Sequence, residues 1–299
     1  MRCGPELVDE LTFPTRPPWH RMGLRRVTAG EWLPAPAGAG PVLRAKQRLL
    51  EWVPERVVVV GSADPETLDR VAAVLEPHRE PTATVGTTTL SRFAPNQRFV
   101  EAAAGLVDDV CVMERRDGAH ALVAGAVWFP SRWDVRARMG RSAQAIHERV
   151  PDDGSRMSAR AEQFMARIDP GDTWARTNWF VHDRPVRWAP RPPRRPRDLA
   201  GQDPPRLWLR SEHQTLHALD RDLMLFTIRT RLAPISAFAA RPEAAAALAA
   251  HLRALPHDLV AEKVHPDHVG LLLDYLTRCS SSNSRDQRWS MGWKASFGP

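Results

Sequence analysis

Lysine is nearly missing from this 299-residue chain: Lys46, Lys263 and Lys294 are the only ones among 42 basic residues, so arginine carries the net charge of +7. The arginines recur along the whole length, often beside Asp or Glu, and form no single basic stripe, which argues against a nucleic-acid binder. Cysteine is scarce too. Cys3, Cys111 and Cys279 make no CxxC pair, which excludes a dense disulfide framework and a local zinc or iron-sulfur cassette. No stretch approaches twenty uncharged apolar residues, and the opening MRCGPELVDELTF has charges where a secretory core would lie. These absences predict a soluble cytoplasmic protein with no membrane and no nucleic-acid partner. GxSxG, Walker-type, HExxH and GxGxxG motifs are also absent, so serine hydrolase, P-loop and Rossmann readings lose their usual support.

An apolar content of 43% is enough to close a core. The first forty residues are rich in Pro and Gly and read as an arm (1–40). A helix follows from Pro41, with apolar residues at 42, 45, 49, 52 and 53. Val57–Val60 is a β-branched run, and Asp64-Pro65-Glu66 caps a second helix carrying Leu68, Val71, Ala72 and Leu75. From 106 the pattern turns to strands: Val110–Glu114, an Asp117-Gly118 turn, then Ala121–Phe129. Short helical segments follow Asp134 and Ser142, and a longer helix carries Met157, Ala161, Phe164 and Ile168. Strands are expected at Trp174–His182, Leu207–Leu216 and Leu223–Thr230.

This order predicts an α+β protein: a PAS-like five-stranded antiparallel sheet (core about 106–232) with helices inserted between strands two and three, plus N-terminal and C-terminal helical extensions. A single domain is expected over 41–278, with helices from Pro242 to near Leu276 and a tail over 279–299. Between the third and fourth strands, Arg184–Arg206 holds seven prolines and seven arginines. That composition forbids regular structure and reads either as a solvated loop or as a docking segment for an acidic protein.

Alternation places Trp174, Arg176, Asn178, Phe180 and His182 on one face of the third strand. Arg210, Glu212 and Gln214 share a face of the fourth, and Thr227 and Arg229 share one of the fifth. Such rows either line a charged pocket beneath the helices or form the wet side of the sheet. Of eleven histidines, His147 alone lies in the helical insertion, where an imidazole can reach toward the sheet. It is the leading metal-ligand candidate, and His182 is the second. His265-Pro266-Asp267-His268, with His251 and His257, has the look of a zinc cluster but lacks defined third and fourth ligands, so a loop and helix cap is the better reading.

The segments RMGLRRVTAGEWL (21–33), LVDDVCVMERRDGAHALVAGAVWFPSRW (106–133), GRSAQAIHERVP (140–151), RTNWFVHD (176–183), LRSEHQTLHAL (209–219) and LFTIRTRLAP (225–234) together resemble the haem-dependent oxidative N-demethylase alpha-subunit-like family. The resemblance runs from about Trp19 to Leu276 and is most specific from AGAVWFPSRW to Ile146-His147. It implies a PAS-fold domain that binds haem b and oxidises the N-methyl group of a small secondary amine with dioxygen. In that family NADPH, FMN and an iron-sulfur centre reside on partner subunits, so this chain is expected to be the haem component of an oxidoreductase working with a reductase partner. At the positions that match the family we assign His147 as axial ligand, Arg210 and Arg229 as propionate partners, Arg176 and Trp179 as further haem-binding residues, and Asn178, as a distal or substrate-side donor, and Glu212 as catalytic residues. The chain departs from the family pattern at Asp152, Asp153, His213 and Arg231. A non-catalytic PAS-like sensor of haem or gas, or a scaffold acting through the Pro/Arg loop, is the alternative.

Overall fold

One hairpin of the sheet is closed by Asp117 and Gly118, whose φ angles of 52° and 84° are the pair a two-residue turn requires between twisted strands. It joins β3 (Asp109–Arg116) to β4 (Ala119–Ala126). The computed structural model describes residues 6–9, 11, 13, 15–16, 23–34, 38–81, 83–142, 154–191 and 195–293. Within them the remaining strands are β1 (Arg25–Val27), β2 (Val58–Val60), β5 (Thr173–His182), β6 (Trp208–Ala218) and β7 (Leu223–Pro234).

All seven strands form one antiparallel sheet in the order β1-β5-β6-β7-β3-β4-β2. The sheet therefore has seven strands where five were expected. The additions are both three-residue edge strands, which have too few residues to show alternation in the sequence. β1 comes from the proline-rich arm, and Trp32 pins that arm by stacking on His217 of β6 at 3.8 Å between ring centroids. Among the described residues no helix is long and apolar enough to cross a membrane.

The longer helices are α1 (Gly40–Trp52), α2 (Pro65–Leu75), α3 (Gln97–Ala104), α4 (Gly154–Met165), α5 (Pro242–Ala254), α6 (His257–Lys263) and α7 (Pro266–Trp293). α2 starts where expected, because Asp64 accepts the Thr67 amide at 2.7 Å and Pro65 fills the first turn. α7 continues to Trp293, beyond the expected end near Leu276. Ser280 and Ser281 do not break it, since their hydroxyls donate back to the Thr277 carbonyl.

The two sheet faces are covered differently. On one face, α1, α2 and α3 pack on Val110, Val112, Ala124 and Leu225, while the C-terminal helices pack on Trp179, Val181 and Leu209. On the other face, Met165 and Ile168 lie with Cys111, Met113, Leu122 and Met224, and a 3-10 turn (Val135–Arg138) crosses β4. Gly125 permits that crossing, because a Cβ there would stand 2.7 Å from Val135 Cγ2. Beyond this apolar half, the same face turns polar toward His182, and the polar half carries the candidate site.

Candidate functional site

Antiparallel register sets the site. Arg176 lies opposite Gln214, Asn178 opposite Glu212, and Phe180 opposite Arg210. Glu212 lies in turn opposite Thr230 of β7. Because side chains alternate, these residues share the face with the inserted helices. Arg176, Asn178, Arg210 and Glu212 are thereby brought together as the alternation implied. His147 and the departures Asp152 and Asp153 lie outside the described residues.

Arg229 and Trp179 do not join this row. Arg229 pairs with His213 across the ladder, on the opposite face, and grips Asp108 with Nε at 3.1 Å from Oδ1 and Nη2 at 2.7 Å from Oδ2. Trp179 also points to that opposite face, edge-on to Phe13 at 5.6 Å and to His251 at 5.8 Å. The physical reason is parity: each stands an odd number of residues from the site-facing positions of its strand. The departures His213 and Arg231 have the same parity and lie away from the polar row.

A continuous hydrogen-bonded chain crosses the site face. Buried Asp109 accepts the Trp128 and Phe129 amides at 2.9 and 2.8 Å, which fixes the end of β4. The Phe129 carbonyl then accepts from Arg210 Nη2. Fully buried Arg210 also donates to Thr230 Oγ1 at 3.1 Å, to the Arg187 carbonyl at 2.8 Å and, through Nε, to Glu212 Oε1 at 2.9 Å. Glu212 Oε2 accepts from Gln214 Nε2 at 3.1 Å, and Gln214 Oε1 accepts from Arg176 Nε at 2.7 Å. Arg210 is thus spent on the protein, whereas the terminal nitrogens of Arg176 have no partner among the described residues. Burial lowers the Arg176 pKa from its ordinary value, opposed by Glu212. A desolvated guanidinium with two open donors is suited to a carboxylate.

Beneath the chain sits a second buried group. The Lys46 ammonium donates to the carbonyls of Ala103, Leu106 and Asp108 at 3.0, 2.8 and 2.8 Å and lies 3.9 Å from the Trp128 ring centroid. Three donors meet three acceptors, which satisfies a charge that has no water. Burial lowers its pKa to about 8 and raises that of Asp109 to about 6, while the attraction between the two opposes both shifts.

Lys263, at the end of α6, escaped the sequence reading. β1 covers β5 only as far as Ala175, and Lys263 reaches over the open edge above it to donate to Asn178 Oδ1 at 2.8 Å. Its ammonium also lies 4.8 Å from the Phe180 ring centroid. Burial lowers its pKa to about 8, with Arg176 adding to the effect and Glu262 and Glu212 opposing it. The signal available in the sequence was its rarity, since a chain that uses arginine almost everywhere keeps a lysine here.

His182 ends the row. It is 8% exposed, and its buried Nε2 has no hydrogen-bond partner among the described residues. Burial, then the charges of Arg210 and Arg132, lower its pKa to about 3, so the ring is neutral at pH 7. Between pH 3 and the usual 6.5 the unfolded chain takes up a proton that the native imidazole refuses. The contribution is complete above pH 6.5 and is lost as pH falls toward 3, at up to about 1.4 kcal/mol per pH unit. His217, lowered to about 4 by burial, acts in the same direction. Urea unfolding at a series of pH values in this window should show the loss, and His182→Gln should flatten it.

In the other histidine group, His265 and His268 are both engaged with backbone groups. The His265 Nδ1 accepts the Asp267 amide at 3.3 Å, and the His268 ring bonds the Arg197 carbonyl at 2.9 Å. Among the described residues no group of three or more His, Cys, Asp or Glu side chains is placed to hold a metal ion.

A family model described as haem-dependent oxidative N-demethylase, alpha subunit-like, matches residues 78–268, more than half of the chain. The chain belongs to that family. The haem-dependent oxidative N-demethylase alpha-subunit-like match begins in the segment between α2 and α3 and ends at the start of α7, so it contains every residue of the polar row and Lys263. Comparison with curated proteins returns no match.

Proposed function

We propose that the chain is the haem-bearing component of a cytoplasmic oxidative N-demethylase, which removes a methyl group from a small secondary amine using dioxygen and electrons from a reductase subunit. The observation that carries this reading is the open end of the polar row: the terminal nitrogens of Arg176 have no partner among the described residues, and the neutral His182 imidazole on the same face has an Nε2 that is likewise unpartnered among them. Arg132, Arg176, Arg210 and Lys263 lie near the carboxylates of Glu212, Asp183, Glu262 and Asp109. That donor set fits haem b, with the open guanidinium of Arg176 suited to a propionate and an imidazole to the iron. The core strand order β5-β6-β7-β3-β4, with the insertion between β4 and β5, supports the PAS-like reading.

In this proposal Arg176 would hold a propionate through its terminal nitrogens, and Arg210 serves to position Glu212. His147, in the insertion between β4 and β5, would hold the iron. His182 is the second candidate for that role, favoured by an Nε2 with no partner among the described residues. When bound, haem supplies the reduction of dioxygen that oxidises the amine methyl group. Glu212, oriented at both oxygens, presents a fixed negative charge to the amine and keeps it near the face. Asn178 has its carbonyl oxygen occupied by Lys263 and the Trp179 amide, so its NH2 is the end turned to substrate. FMN, NADPH and iron-sulfur chemistry belong to partner subunits.

The test is oxygen-dependent formaldehyde release from dimethylamine by haem-loaded protein supplied with an NADPH-linked reductase. Formaldehyde in proportion to amine consumed is expected. Haem binding with no formaldehyde from any methylamine would leave a sensor.

A further inference from the structure

The Pro/Arg loop between β5 and β6 is not a loose excursion. Arg210 of the site donates to its Arg187 carbonyl, Ala189 exchanges hydrogen bonds with Pro130 and Arg132, and Asp183 accepts the Arg197 amide at 2.8 Å. Trp188 lies under the Arg56 guanidinium at 4.9 Å, and Leu199 and Leu207 are buried. The backbone is therefore fixed at several points, two of them on the segments that build the site.

What the described part of this segment presents outward is positive charge. Arg184 lies 3.9 Å from Asp183, and the segment's own acids are Asp198 and Asp203. Asp203 is paired with Arg278 of α7 at 2.7 Å, and Asp198 accepts the Ala200 amide. Arg191, Arg195, Arg197 and Arg206 are exposed, and among the described residues no carboxylate lies within ion-pair distance of them. Outside the loop several exposed arginines are paired, Arg70 with Asp220, Arg98 with Glu76, Arg116 with Glu114 and Arg136 with Asp134, and those unpaired among the described residues, such as Arg44, Arg48 and Arg92, lie on other elements. Val186, one of two large apolar side chains strongly exposed among the described residues, stands in the same loop. Unneutralised like charge held on a rigid backbone favours an opposite surface without a large ordering cost.

We propose that this loop is the docking surface for an acidic protein, the one that delivers electrons. The electron-donor identity rests on the N-demethylase reading, whereas the acidic character rests on the loop alone. The contact would place the donor against the elements that hold Arg210 and Arg132, next to the site.

The probe is a small acidic [2Fe–2S] ferredoxin, and the variant is Arg191→Glu/Arg195→Glu/Arg206→Glu in the full chain. A matched control, Arg44→Glu/Arg48→Glu/Arg92→Glu, changes net charge equally at exposed arginines outside the loop. Binding by fluorescence anisotropy should weaken about tenfold in the loop variant and little in the control, with the difference fading at high salt. In haem-loaded protein, reduction by ferredoxin should slow by a similar factor while reduction by dithionite is unchanged. Equal losses in both triples would overturn the proposal. So would tighter binding to phosphatidylglycerol vesicles or single-stranded RNA than to ferredoxin, lost in the same loop variant. If the chain takes up no haem yet the loop variant loses ferredoxin binding, the docking surface stands and the catalytic reading fails.

Discussion

Lys46→Ala is expected to cost about 3–5 kcal/mol of folding stability, because it removes one partner of a buried charge set and leaves the others in place. Three carbonyls lose the Lys46 donor, each worth about 1 kcal/mol or more when left unpaired in the interior. Asp109 loses the cation that offsets its burial. A domain is typically stable by about 5–15 kcal/mol, so this single truncation removes a large share. Lys46→Met fills the volume but restores no donor, and should recover only the packing part. The midpoint of urea unfolding measures both, and a loss below about 1 kcal/mol for Lys46→Ala would show that the carbonyls and Asp109 find other partners.

Arg210→Ala is expected to be comparably damaging, at about 3–5 kcal/mol, for a related reason. The Phe129 and Arg187 carbonyls lose their donor, and Glu212, 5% exposed, loses its cation. Arg210→Lys keeps a charge without the planar fork and should restore only part of the loss. A second readout separates this role from general unfolding. After burial, Arg210 and Arg132 are the positive charges that lower the His182 pKa, so the imidazole should titrate at a higher pH in folded Arg210→Ala and stay low in Arg210→Lys, which keeps the charge. An NMR titration of that ring with unchanged midpoint in Arg210→Ala would contradict the arrangement. Because Lys46 and Arg210 meet through Asp109 and the Trp128–Phe129 backbone, their combined loss should differ from the sum of the single losses.

The long elements were legible because their periodicities are strong and their punctuation is local. The Asp117-Gly118 turn, the Asp64-Pro65 cap and the strands of ten or more residues each carry their own signal. The alternation that put Arg176, Asn178, Glu212 and Gln214 in rows was enough to assemble the polar face, since register in an antiparallel ladder follows from parity. Parity alone did not say which row of β7 faces that way. Arg229 was grouped with Arg210, yet it stands beside His213 on the other face. Of the two three-residue edge strands, Val58–Val60 showed only as a β-branched run with no alternation to seat it in the sheet, and Arg25–Val27 showed no signal, which is why a five-stranded sheet became seven. Lys263 and Asp109 were missed for a different reason: they act through long-range geometry, one reaching over an open strand edge and the other capping two amides nineteen and twenty residues away.

The central claim is that an imidazole of this chain binds haem iron over the Arg176–Glu212 face. Titrating the purified protein with haem and following the Soret band tests it most directly. Stoichiometric uptake with a histidine-ligated spectrum, lost or shifted in His147→Ala, is the predicted result. No stoichiometric uptake, or a spectrum unchanged in both His147→Ala and His182→Ala, would contradict it.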